Sequence, residues 1–227
     1  MRTSKKRHNT ALAFAAALTS VPSALAAQET LDETMCRNGA FSGDGDIQRG
    51  RIVGDGRAYL LDDMDGCPEI AECRQLGSPY LVTGNEVLVS KIRMDFACVY
   101  YKAEVGGSAG YVPVERIEMI ATDLLPAATD WTGLWDDGAS ADITIRLGDD
   151  GPYATGNAVW PGRNADSQYG PNIGELDGRL TILGRRARYD DGYCRVDITL
   201  LGDILVAHDN MRCGGMNVTF RGVYRRR

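Results

Sequence analysis

The second half of the chain alternates apolar and polar residues with a period of two. Ile143, Ile145 and Leu147 interleave with Asp142, Thr144 and Arg146, and Cys194, Val196, Ile198 and Leu200 interleave with Arg195, Asp197 and Thr199. Successive side chains of a strand point to opposite faces, so such runs predict strands with one buried and one wet face. Between them stand Asp136-Asp137-Gly138, Asp149-Asp150-Gly151, Asp177-Gly178 and Asp190-Asp191-Gly192. Asp-Gly supplies the positive φ angles of tight hairpins, so each is expected to be a turn. A further hairpin is expected at Gly202-Asp203, followed by a strand over 216–224. Residues 131–227 show no amphipathic helix, and the pattern predicts an antiparallel meander closing as a small barrel or sandwich.

The first half carries three shorter strand-like runs. Residues 80–89 read Tyr-Leu-Val-Thr-Gly-Asn-Glu-Val-Leu-Val, 96–101 read Phe-Ala-Cys-Val-Tyr-Tyr, and 110–114 read Gly-Tyr-Val-Pro-Val. Polar residues around Lys91 to Asp95 and the run Gly106-Gly107-Ser108-Ala109-Gly110 separate them. This stretch resembles bacterial Src-homology-3-like domains, whose pattern is a Tyr-Leu-Val-x-Gly-Asp-x-Val segment, an aromatic-x-x-Val-x-Tyr strand and a closing Gly-Trp-Val. Asn85 stands at the usual Asp and Tyr111 at the usual Trp. The likeness covers about 40 residues, and extends from Arg57 if Ala58-Tyr59-Leu60 is the first strand. It implies a small β-barrel module that binds peptides or peptidoglycan stems through an aromatic-lined groove, with Tyr59, Tyr80, Tyr101 and Tyr111 as the groove residues. Tyrosines of small β domains serve equally as core and cross-strand packing.

The amino end adds a compartment to this picture. Arg2, Lys5, Lys6 and Arg7 precede the apolar run 11–18 and the small-residue triplet Ala24-Leu25-Ala26, the order of a cleavable signal peptide over residues 1–26. All six cysteines follow it, an even number that reads as three disulfides in an exported chain. The stretch 124–130 lacks either periodicity and contains Pro126; read as a linker, it divides a four-cysteine domain, 27–123, from a two-cysteine domain, 131–227. Cys194 is then expected to pair with Cys213. Cys36, Cys67, Cys73 and Cys98 allow three connectivities between which the sequence does not choose; the expectation adopted is Cys67 with Cys73 and Cys36 with Cys98.

Charge narrows the partners. Without residues 1–26 the chain has 21 Lys and Arg against 31 Asp and Glu, a net charge of −10. Phosphate backbones are bound chiefly by Lys and Arg, so nucleic acid is not an expected partner, nor is a membrane after signal cleavage. A basic partner is electrostatically easier.

Catalytic and metal chemistry find little footing in the sequence. Gly106-Gly107-Ser108-Ala109-Gly110 matches a nucleophile-elbow pattern, and His208 follows it, but an elbow needs a strand, a sharp turn and a helix on a large α/β sheet. Asp44-Gly45-Asp46 and Asp62-Asp63-Met64-Asp65 are the densest carboxylate clusters, without the spacing of an EF-hand loop. Trp131, Trp135 and Trp160, with Asn172, Glu175, Asp209, Asn210 and Asn217, would line a cavity mouth if the barrel were open, but tryptophans of a small barrel are more often core than ligand wall. The whole is expected to be an all-β, disulfide-stabilised, non-enzymatic binding protein, periplasmic or secreted, with no metal or other cofactor. The alternative is a proteinaceous inhibitor of a cationic hydrolase such as lysozyme.

Overall fold

The computed structural model describes residues 35–37, 41, 46–74, 77–103, 106–121, 125–162 and 170–227. The signal-peptide reading of residues 1–26 lies outside them. Within them the protein is all-β, with the three disulfides Cys36–Cys98, Cys67–Cys73 and Cys194–Cys213, the pairing expected from the sequence. Structural disulfides persist in oxidising compartments, so the bridges point to a protein that works outside the cytoplasm. Among the described residues no helix is long and apolar enough to cross a membrane.

The first half forms a five-stranded antiparallel sheet from β1 (Gln48–Ile52), β4 (Glu86–Arg93), β5 (Phe96–Tyr101), β6 (Ser108–Pro113) and β7 (Ile117–Ile120), in the order β6-β5-β4-β1-β7. A short ribbon of β2 (Ala58–Tyr59) and β3 (Tyr80–Leu81) stands beside it. The run 80–89 is therefore divided between β3 and β4. Its corner is fixed at Gly84, with φ +92°, and by the side-chain oxygen of Asn85, which accepts the Val82 N–H at 2.9 Å. The ribbon is tied to the sheet where Leu61 and Tyr111 exchange backbone hydrogen bonds of 2.9 and 3.1 Å. A Cβ on Gly110 would lie 2.8 Å from the Leu60 Cβ, so this close crossing requires the glycine.

The second half is a closed up-and-down barrel of β8 (Gly133–Asp136), β9 (Ala141–Gly148), β10 (Gly151–Trp160), β11 (Asn172–Leu183), β12 (Arg186–Asp190), β13 (Arg195–Leu201), β14 (Ile204–Asp209) and β15 (Gly222–Arg226). Each strand pairs with the next, and β15 closes on β8. The inward residues, among them Ile143, Ile145, Leu176, Val196, Ile198 and Leu205, pack with Trp131, Trp135, Phe220 and Tyr224 into one core.

Two expectations about the barrel strands are corrected. Asp177-Gly178 is not a turn but lies in the middle of β11: the Tyr189 ring covers the glycine, and a Cβ there would come within 2.9 Å of it. The expected strand over 216–224 begins only at Gly222, because 210–221 cross the barrel end as a loop that places Val218 and Phe220 in the core.

The two halves share an apolar cluster. Cys36, Phe41, Ile47, Leu88, Cys98 and Tyr111 pack with Leu201, Val206 and Val223 from the outer face of the barrel. The segment read as a linker leads at 125–127 into a single 3-10 turn, Ala128–Trp131, whose tryptophan is buried in the barrel.

Candidate functional site

On the β2–β3 ribbon, Tyr59 and Tyr80 stand directly opposite one another and share a face, while their neighbours Ala58 and Leu81 turn inward to the core. The period-two pattern of these short segments thus produces an aromatic pair on the outside. The rings meet edge to face, with centroids 5.9 Å apart. Each carries a guanidinium: Arg57 lies over the Tyr80 ring at 4.1 Å and Arg74 over the Tyr59 ring at 3.6 Å. The Tyr59 and Tyr80 side chains beside it, hydrogen bonding to Tyr59 first, hold the Arg57 pKa above the usual arginine value.

The chemistry of this patch follows from its parts. A ring quadrupole attracts a cation to its face, which holds the two guanidinium groups over the rings. Both arginines are exposed, and Tyr80 and its neighbour Val82 are each 45 % exposed. The surface offers flat apolar area with several fixed N–H donors at its rim, suited to an extended chain or sugar that carries carboxylates.

The structure separates the four tyrosines that the sequence grouped. Tyr101 ends β5 and packs against the core of the first sheet. Tyr111 is fully buried in the cluster shared with the barrel, so it is withdrawn from the groove and reassigned to packing. The physical reason is its place in β6, between the sheet and the ribbon that crosses it. Arg57 and Arg74 were missed by the sequence reading. Arg57 adjoins Tyr59 in sequence; Arg74 follows Cys73, and the Cys67–Cys73 bridge closes the loop that leads to it.

Elsewhere the expected chemistry is used for structure. Gly106 has φ +70°, and a Cβ on Gly107 would lie 2.1 Å from the Tyr100 hydroxyl, so the glycine-rich run is the β5–β6 hairpin and Ser108 opens a strand, not a helix. His208 lies in register with Asp197 on β14. In the carboxylate cluster, Asp63 is buried and accepts the backbone N–H groups of Cys36 and Arg37 at 2.7 and 2.8 Å and Arg37 Nε at 2.8 Å; Asp62 pairs with the same guanidinium. Asp44 and Gly45 lie outside the described residues.

The barrel mouth is closed at the disulfide end. Trp131 and Trp135 are fully buried and Trp160 packs against the core, so they do not line an open cavity. Asp209, buried, accepts hydrogen bonds from the N–H groups of Met211 and Phe220 at 3.3 and 2.8 Å and from the Thr219 hydroxyl at 3.0 Å. The Asn210 side chain spans from the Tyr193 carbonyl to the Arg195 and Arg212 N–H groups. Asn172 donates to the Met216 carbonyl, whereas Glu175 and Asn217 are exposed outside the barrel. The result is a braced loop that presents Met211 and Met216 to solvent beside Tyr193 of the β12–β13 turn.

No protein-family model, curated protein or solved structure matches the chain.

Proposed function

We propose that the protein is an exported, non-enzymatic binding protein, periplasmic or secreted, whose first unit recognises peptides or peptidoglycan stems on the Tyr59–Tyr80 surface. The observation that carries this reading is the tyrosine pair, Tyr80 exposed and Tyr59 half-buried, with a guanidinium over each ring. The exposed part of the pair leaves flat apolar area for a ligand to cover, and guanidinium groups already held over the rings need little further ordering on binding. Peptidoglycan stems are extended peptides with carboxylates, the chemistry that this surface complements. The likeness of residues 80–114 to Src-homology-3-like domains supports the same reading.

Co-sedimentation of the oxidised protein with purified sacculi tests it. Tyr80→Ala and Arg74→Ala should each weaken binding by about fivefold, the equivalent of roughly 1 kcal/mol for one exposed stacking contact. Both side chains are at the surface, so circular dichroism should stay unchanged. Binding that survives both substitutions would reject the surface, and no sedimentation of the folded parent would reject the reading.

The braced loop at the barrel end favours a second reading, an inhibitor of a cationic hydrolase. A loop held by a disulfide and by Asp209 loses little entropy on docking, and Met211 and Met216, with Tyr193 of the adjoining turn, would be the apolar contacts. Titrating lysozyme activity at low and moderate salt checks it: an inhibitor steered by the net negative charge should lose potency as salt rises.

A further inference from the structure

In the closed barrel β10 stands diametrically opposite β14. The outer faces of β9, β10 and β11 therefore lie on the side away from the first unit, which packs on Leu201, Val206 and Val223 of β13, β14 and β15. On that outer face the strand registers set side chains in rows across the three strands. Arg146, Tyr153 and Arg179 form one row, Thr144, Thr155 and Asp177 the next, and Asp142, Asn157 and Glu175 the third. A basic row and an acidic row thus flank a row of short side chains.

These charges do not satisfy one another within one chain. Arg146 and Asp142 are four residues apart on β9, as Arg179 and Glu175 are on β11, a separation of about 13 Å along a strand. Among the described residues Arg146, Asp142 and Glu175 make no ion pair. Arg179 pairs with Asp150 at 3.2 Å, but the two side chains are 68 % and 86 % exposed, and so open a contact is readily exchanged.

Two copies of the pattern are complementary. A two-fold axis laid along the middle row, in the plane of the face, sets each strand antiparallel on its own copy and exchanges the outer rows. Arg146 then meets Asp142 of the second copy, Arg179 meets Glu175, and Tyr153 meets Asn157, and each contact occurs twice. The barrel is convex, so the two faces come closest along β10 and diverge over β9 and β11. The long arginine side chains stand on those flanks, where a gap has to be bridged. Asp177, short and on a flank, stays apart from its own copy and accepts the Tyr153 hydroxyl at 3.0 Å.

We propose that the outer face of β9, β10 and β11 is a self-complementary interface through which two copies of this chain associate back to back. Contact over three curved strands is smaller than an obligate interface, and each copy carries a net charge of −10 without residues 1–26, so the dimer is weak. The first units stand at its two far ends, and the tyrosine surfaces take no part in it.

Sedimentation velocity of the oxidised protein over a range of concentrations tests this. At about 0.15 M salt the Debye length of about 8 Å screens the net repulsion more than the contact pairs, and the parent should show monomer and dimer in exchange with a Kd on the order of 100 µM. Arg146→Glu sets like charges against each other at both β9 contacts, and so does Asp142→Arg; each variant alone should stay monomeric up to about 1 mM, a loss of at least about tenfold. An equimolar mixture of the two variants should dimerise within about threefold of the parent, because both contacts of the mixed dimer again join opposite charges. A variant that had merely lost its fold could not be rescued in this way. Should either fail to fold by circular dichroism, Arg179→Glu and Glu175→Arg on β11 should give the same pattern. Tyr80→Ala should dimerise as the parent does. A parent that is monomeric at about 1 mM, single variants that associate like the parent, or a mixture that does not associate would overturn the proposal.

Discussion

Asp63 is a carboxylate removed from water and compensated by hydrogen bonds. Burial pushes its pKa up, but the N–H groups of Arg37 and Cys36 and the Arg37 guanidinium outweigh burial and leave it below the ordinary value of 3.8. A lowered folded-state pKa stabilises above the unfolded value, and that contribution is lost as pH falls through the folded one. Asp63→Asn should therefore cost about 2 kcal/mol at neutral pH, with the difference from the parent shrinking below about pH 4, as urea denaturation at several pH values would show. Tyr111 makes the complementary case. It was legible as part of a likeness but not as a buried residue, because a tyrosine in a strand has the same sequence signal on either face. Tyr111→Ala should lower stability by about 3 to 5 kcal/mol in thermal denaturation, the range of large aromatic truncations. Arg57 and Arg74 show the converse: 17 residues apart in sequence, they meet one aromatic pair only because β2 and β3 are in register.

Among the elements, β9 follows its period-two pattern as far as Ile145, with Leu147 exposed near the strand's end rather than on the buried face, and β13 follows its pattern as far as Leu200, since a barrel strand has a filled inside and a wet outside. β11 does not announce itself in this way. Its Asp177-Gly178 has the local chemistry of a turn, but the hydroxyl of Tyr153 donates to Asp177 at 3.0 Å and the Tyr189 ring fills the space above the glycine, so the strand runs on. The loop 210–221 was likewise hidden, because its order comes from the buried Asp209 and from the Cys194–Cys213 bridge. Replacing both cysteines by serine should cost about 3 kcal/mol for a closed loop of this length, measured as a fall in midpoint under non-reducing conditions.

At the scale of the whole molecule, the outer face of β13, β14 and β15 is where alternation fails: Leu200-Leu201, Leu205-Val206 and Val223-Tyr224 bury both faces. The inner residue of each pair fills the barrel, and Leu201, Val206 and Val223 meet the first unit. Lys102 adds a polar tie: its ammonium donates to the Asp137 carbonyl at 2.7 Å, and Arg225 donates to its carbonyl oxygen at 3.2 Å. Sheet and barrel should therefore unfold as one, giving a single calorimetric transition. Val206→Asp buries a charge in the shared cluster and should divide it into two. Two transitions in the parent would contradict this coupling.

By itself, the sequence determined the β class, the meandering second half, most of its turns and, given the division at 124–130, the Cys194–Cys213 pair; the pairing of the other four cysteines was left to the tertiary structure. These depend on local alternation, on glycine's conformational freedom and on the counting of thiols along one chain. The tertiary structure decided which tyrosines face water, that the barrel end is closed, and that a groove lies between the end of β7 and Arg185 and Arg186 at the start of β12. Those features arise where segments distant in the chain come into contact, and burial by a distant neighbour leaves no period in the sequence.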